Sequence, residues 1–143
     1  MRLPGELDSR LQREAGLTLF EYHALAMLSE VADRTLPMTA LAQSAYSSLS
    51  RLSHVVKKLE ARGFVTRRRS RADARVTVVE LTDDGMQLIE GLAPTHVGDV
   101  RDLVFDTLDE RDVADLVRVG RKIVAHSDPE NWTLTQGDED YRV

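Results

Sequence analysis

No cysteine occurs among the 143 residues, which excludes a disulfide framework, a thiolate metal site and a thiol-based redox switch. No apolar run approaches the roughly 20 residues needed to cross a bilayer, so the sequence reads as that of a soluble protein. The opening MRLPGELDSR has neither an apolar segment nor a cleavage signature; nothing in it directs export, and a cytoplasmic location is the default. Internal repeats and low-complexity segments are absent. Catalytic signatures are missing as well: there is no glycine-rich phosphate loop and no H-E-x-x-H metal site, and scattered Ser, His and Asp are too common to count as a triad. Neither an enzyme nor a cofactor is expected. His23, His54, His96 and His126 show no ligand-like clustering, so metal sensing is not expected either.

The length suits one domain, or one domain with helical extensions, large enough to bury a core. The net charge is −5 and the pI about 5.4, values that would ordinarily argue against a nucleic-acid partner. The local distribution says otherwise. Between residues 46 and 75 stand nine basic residues (Arg51, Lys57, Lys58, Arg62, Arg67, Arg68, Arg69, Arg71 and Arg75) against two acids, Glu60 and Asp73, a local balance of +7. Phosphate contact depends on the local field, which salt screens over roughly 10 Å. A basic face on an acidic body is compatible with oriented docking; the alternative is a solvated charged surface.

Hydrophobic spacing and punctuation divide the chain. Residues 7 to 14 form a short helical candidate with Leu7 and Leu11 on one face, stopped by Gly16. Thr18 stands three residues before Glu21, the spacing of a capping box, so a second helix starts there. It carries Leu19, Tyr22, His23, Leu25, Ala26, Leu28 and Val31, too many for one face, and packs on two sides. Pro37 ends the connection that follows, Thr39 can cap a short helix over Leu41 and Ala42, and residues 45 to 47 supply a turn.

The next helix, about 48 to 62, gathers Leu49, Leu52, Val55, Val56 and Leu59 within one arc at about 100° per residue. Ser47, Ser50, His54 and Lys57 occupy the opposite arc, with Arg51 and Lys58 at its edges. Gly63 suits the left-handed residue after a helix end. Residues 64 to 69 and 75 to 81 have strand character and are joined by SRADA, a hairpin with a basic tip. A helix-turn-helix followed by a basic hairpin is a winged helix-turn-helix. Thr82 then caps a helix with Asp83 and Asp84 at its positive end, interrupted or kinked at Pro94. Asp109 starts a last helix with Val113, Leu116, Val117, Gly120, Ile123 and Val124 on one face. These outer stripes need a partner: a second copy of the chain is one candidate, packing onto the first two helices the other. From Ser127 the tail SDPENWTLTQGDEDYRV is acidic and polar and is expected to be mobile, with Trp132 pinning it locally.

The segment LTLFEYHALAML, the helix ending KKLEARGFV, the basic residues after it, Asp73-x-Arg75 and Leu81-Thr82-x-x-Gly85 together resemble the MarR family of bacterial transcriptional regulators, over about residues 7 to 126. The fold expected is mainly α with a small β-hairpin wing: a winged helix-turn-helix at 18–83, a helical dimerisation region at 1–17 and 84–126, and the tail at 127–143. The resemblance implies a homodimer whose terminal helices build the interface, a pseudo-palindromic operator in double-stranded DNA, and repression. Two departures stand out. Ala74 fills a place where the family commonly has Gly or a polar or basic residue, so fewer wing-tip contacts are expected, and the first helix begins almost at Met1, so part of the usual dimerisation helix is expected to be missing or shortened.

Within that frame Ser47, Ser50, Arg51 and His54 are the candidates for base edges and nearby phosphates, Arg51 foremost because its fork suits guanine. His54 is equally readable as a surface polar residue. Ser48 donates to a phosphate beside open backbone amides. Lys57, Lys58, Arg67, Arg68, Arg69 and Arg71 position the protein on phosphates. The family pattern makes Arg75 the wing arginine of the minor groove, braced by Asp73; a plain pair holding the turn is the other reading. The resemblance also implies a small-molecule effector, of an aromatic kind, with Tyr22, His23 and Met27 as candidate lining residues or as ordinary core. A winged helix used for protein–protein interaction is the rival function, and it would call for apolar or aromatic anchors where the basic arc lies.

Overall fold

The structure, a computed structural model, describes residues 3–127. Helix α1 runs Leu3–Ala15, a turn longer at its start than the leucine spacing predicts, and buries Leu7 and Leu11. Gly16 stops it in the left-handed region at φ +62°, where a side chain would be strained. The capping box forms as expected: Glu21 N donates to Thr18 Oγ1 at 3.1 Å, and Thr18 N donates to the Glu21 carboxylate at 2.8 Å. Helix α2, Leu19–Glu30, buries Tyr22, Ala24, Leu25 and Leu28. Asp8 adds a tie between the two helices by accepting Leu19 N at 2.8 Å.

The chain then forms strand β1, Thr35–Pro37, helix α3, Met38–Ser44, helix α4, Leu49–Ala61, and strands β2, Val65–Arg69, and β3, Thr77–Leu81. The expected hairpin is part of a three-stranded antiparallel sheet ordered β1-β3-β2. Strand β1 pairs Leu36 with Val79 and Pro37 with Val78. It escapes sequence reading because it is three residues long and ends in proline, which only an edge strand tolerates. Thr39 does not cap α3; Pro37 holds that position without a side-chain hydrogen bond. Leu52, Val56 and Leu59 of α4 are buried as expected, whereas Leu49 is 48% exposed. As the first residue of α4 it lies beyond the packed length of the helix and faces a cleft described below. Leu11, Leu17, Leu25, Leu28, Leu41, Val65, Val79, Leu81, Ile89 and Leu92 close the core around Leu52, Val56 and Leu59.

Helix α5, Asp83–Leu103, is capped by Thr82, whose Oγ1 accepts Gly85 N at 3.0 Å and donates to Gly63 O at 2.7 Å. It continues through Pro94 rather than breaking there. Pro94 is exposed, so water can satisfy the carbonyl that the missing N–H leaves unpaired. The chain divides into two compact units, one up to Asp99 and one from Val100. In the second, a 3-10 turn, Phe105–Thr107, precedes helix α6, Glu110–Ser127. Asp109 caps α6 by accepting Arg111 N and Asp112 N at 2.8 and 2.9 Å. No residue of α6 is buried, and Leu116 and Ile123 are 52% and 62% exposed. No helix among the described residues is long and apolar enough to cross a membrane. Beyond Ser127, the expected tail with Trp132 lies outside the described residues.

Gly85 is where the winged unit is tightest. A Cβ built there would overlap the Phe64 carbonyl oxygen and stand 2.7 Å from Leu81 Cδ1. Gly85→Ala is therefore expected to destabilise the chain by about 1–3 kcal/mol, the usual cost of overpacking. Urea unfolding of the two proteins side by side measures it.

Candidate nucleic-acid interface

Helix α4 presents its polar arc because its apolar arc is taken up by the core. Ser50, Arg51, His54, Lys57 and Lys58 are exposed, with Leu52, Val56 and Leu59 buried behind them. Ser48 is the N-cap: its Oγ accepts Arg51 N at 3.2 Å, which leaves the hydroxyl proton for an outside acceptor. Ser47 is half-buried, held by Ser47 N donating to Ala42 O at 2.9 Å. The Arg51 guanidinium lies 4.6 Å from the Phe20 ring centroid, a cation–π contact that restricts the arm. In the turn between α3 and α4, Tyr46 is 73% exposed with a left-handed backbone at φ 46°. Sequence reading passed it over, although an aromatic residue just ahead of a polar helix face was visible.

The wing arginines are almost all held by acceptors on their own unit. Arg75 makes a two-pronged pair with Asp73, Nε–Oδ1 3.1 Å and Nη2–Oδ2 3.0 Å, while Arg75 N donates to Asp73 Oδ1 at 2.9 Å. The carboxylate thus fixes both backbone and side chain of one residue. The Arg75 side chain remains 91% exposed. Hydrogen bonds from Arg75 lower the Asp73 pKa, and Asp73 in turn raises that of Arg75. Arg68 pairs with Glu80 at 2.9 Å, and Arg69 donates to Thr77 Oγ1 at 3.2 Å. Arg71, at the tip, is exposed.

Arg67, expected to contact phosphate, is engaged by an acceptor on its own chain. Its Nε and Nη2 donate to Glu60 Oε2 at 2.9 and 2.6 Å, and its backbone N to Glu60 Oε1 at 3.0 Å. The wing is thereby bolted to α4, and the side-chain bond from Arg67 lowers the Glu60 pKa. Between α3, α4 and the wing opens a cleft of about 380 Å³ lined by Met38, Leu49, Ser53, Arg67, Arg75 and Thr77, among others. Glu60 did not stand out in the sequence as an anchor, since its partner Arg67 lies in the next element, β2.

The residues singled out as a possible effector site are brought together only in part. Tyr22 is buried and its ring centroid is 4.3 Å from that of His96. His23 keeps an open edge, 6.4 Å from His96 between centroids. Met27 is half-buried against the core. Helix packing brings His23 and His96 near one another, a proximity that the sequence did not reveal. Burial lowers both pKa values, proximity to His96 adding to the effect at His23, and burial raises that of Tyr22. His96 Nδ1 is buried without a hydrogen-bond partner. No group of three or more His, Asp or Glu among the described residues is placed to hold a metal ion.

A helix-turn-helix, a capped polar second helix and a braced hairpin packed into one unit define a winged-helix protein. The family model described as transcriptional regulator SarA/Rot matches residues 6–92. The crystal structure of Sco3205, a MarR family transcriptional regulator from Streptomyces coelicolor solved in complex with DNA, superposes with a TM-score of 0.85 at 38% identity, covering 89% of this chain and 79% of that one. In sequence, the chain is similar to two regulators of Bacillus subtilis (strain 168): the HTH-type transcriptional regulator MhqR, 26% identical over 98 residues, and the organic hydroperoxide resistance transcriptional regulator, 34% identical over 74. These matches cover 68% and 52% of this chain but only 66% and 49% of those proteins. The chain belongs to the MarR family of transcriptional regulators.

The Glu60–Arg67 bolt carries a pH signature. A carboxylate whose pKa is lower in the folded state stabilises that state above its unfolded pKa, about 4.3. The contribution is lost as pH falls through the folded value. Amide exchange at Arg67 is expected to accelerate relative to Val79 over that acidic window in the wild type. Glu60→Gln should exchange faster already at neutral pH and lose the pH dependence, which hydrogen–deuterium exchange resolves.

Proposed function

We propose that two copies of this chain bind a pseudo-palindromic operator in double-stranded DNA and repress transcription from it. In this reading the α4 helices enter successive major grooves about one helical turn apart. Arg51 and Ser50 read base edges, with Ser47 and His54 beside them. Ser48, Lys57, Lys58, Arg68, Arg69 and Arg71 contact phosphates, and Arg75 enters the minor groove. Arg67 contributes as the anchor of the wing. Residues 18–83 form the DNA-binding part, and 1–17 with 84–126 form the dimer interface. A small aromatic effector bound near Tyr22, His23 and Met27 would release the operator only by favouring a different spacing of the α4 helices.

The observation that carries this reading is the placement of one cationic helix arc and one carboxylate-braced, outward arginine in the same compact unit. Bracing matters because an arm held in one rotamer loses less entropy on binding than a loose one. Support also comes from the DNA complex of the Streptomyces coelicolor relative. The exposed stripe on α6 supports a self-partner, since apolar rows of this kind are normally covered.

Binding of a labelled fragment from upstream of the chain's own gene, against scrambled competitor, tests the proposal; equal binding of both would remove sequence-specific regulation. With six to eight phosphates contacted per dimer, log affinity should fall against log salt with a slope of about −5 to −7. Arg75→Ala should weaken operator binding by roughly tenfold or more and leave the dimer folded. Unchanged affinity in a fluorescence anisotropy titration would strip Arg75 of its role.

A further inference from the structure

Arg62 belongs to the basic stretch by sequence but not by geometry. It is the C-cap residue of α4, and its guanidinium is directed at the end of α1: Nη1 donates to Gly16 O at 2.9 Å and Nη2 to Ala15 O at 2.8 Å. The same guanidinium stacks on the Phe64 ring, 4.9 Å from its centroid. We propose that Arg62 is a positioning residue, one that fixes the angle between α1 and the recognition helix and, through α1, the separation of the two recognition helices in the dimer. This rests on the dimeric DNA-binding reading above.

The chemistry of the joint favours that role. The last carbonyls of a helix have no intrahelical donor and sit at the negative end of its dipole. A guanidinium supplies a positive charge and two donors in a rigid plane, so it fixes orientation as well as distance. Phe64, beneath that plane, limits its rotation. Elsewhere α1 is held by Leu7 and Leu11 in the core, by Asp8 at the start of α2, and by Arg10, whose Nη1 donates to Asp99 Oδ1 at 2.6 Å. The polar ties among these join α1 to α2 and α5, and neither of them reaches the recognition helix. The Arg62 fork, at the C-terminal end of α1, adds a two-point tie made by the recognition helix itself. Both bonds are open to solvent, so their loss should cost little folding stability. A small change of angle is enough to shift two helices that must meet successive grooves.

The chain's lack of cysteine makes a direct test simple. Lys57→Cys, spin-labelled, places one label on each recognition helix of the dimer, and double electron–electron resonance without DNA reads their separation. Arg62→Met in that background is expected to broaden or shift the distance distribution; Arg62→Lys, able to reach one carbonyl, should fall between. In unlabelled protein, affinity for duplexes whose half-site spacing is varied by one base pair should show a sharp optimum for the wild type. Arg62→Met should lower the optimum on the order of fivefold to tenfold and flatten the preference, with the salt slope unchanged. An unaltered distance distribution and spacing preference would overturn the inference. So would a salt slope shallower by about two per dimer, which would make Arg62 a phosphate contact instead. If Arg62→Met fails to fold by circular dichroism, the Lys variant carries the comparison under the same criteria. A wild type without a dipolar signal, or without sequence preference, would remove the dimeric DNA-binding reading and this inference together.

Discussion

The winged unit is built around a single place where backbone meets backbone. The carbonyl of Phe64 approaches Gly85 too closely for any side chain there, Thr82 N donates to that same carbonyl at 3.1 Å, and Thr82 Oγ1 donates to Gly63 O. The exit of α4, the entry to β2 and the start of α5 are thereby clamped within a few residues of one another. From that point β2 runs out to the wing, and α4 runs back beneath it with its polar arc outward. The register of β2 on β3, Val65 opposite Leu81 through Arg69 opposite Thr77, follows from this clamp. It determines which side of the hairpin each arginine occupies.

Around that clamp the positive charge is organised rather than merely accumulated. Arg75 is tied to Asp73, Arg67 to Glu60 and Arg68 to Glu80. Pairs this exposed add little to stability. Their effect is on conformational freedom: each carboxylate selects a rotamer for a long side chain that would otherwise sample many. The surface remains cationic because Lys57, Lys58, Arg69 and Arg71 have no acid opposite them in the described ion pairs. Acidic residues inside a basic patch are here part of its construction.

Much of this was legible in the chain itself, and the pattern of success has a physical cause. Helix faces, the Thr18–Glu21 box, the Gly16 stop and the basic hairpin are set by residues within a few positions of one another. Periodicity and capping rules therefore find them, and the resemblance carried by Asp73-x-Arg75 and Leu81-Thr82-x-x-Gly85 supplied the family. What escaped depends on distant partners. Strand β1 exists because β3 offers it an edge, and Leu49 is uncovered because the core ends one turn short of it. Arg62 turns toward α1, and His23 meets His96, only once the helices are packed. Of the kink or interruption expected at Pro94, the interruption did not occur, and the carbonyl left without a donor lies where solvent can reach it.

The rims of the small sheet also decide how copies of the chain can and cannot associate. On one side β1 offers three residues and closes with Pro37, which has no N–H to lend to an incoming strand. On the other, β2 displays Arg67, Arg68 and Arg69 in succession, and two such rows would repel one another. Strand-to-strand growth into fibrils is thus discouraged at both margins. Any self-association is thereby left to surfaces other than the sheet margins.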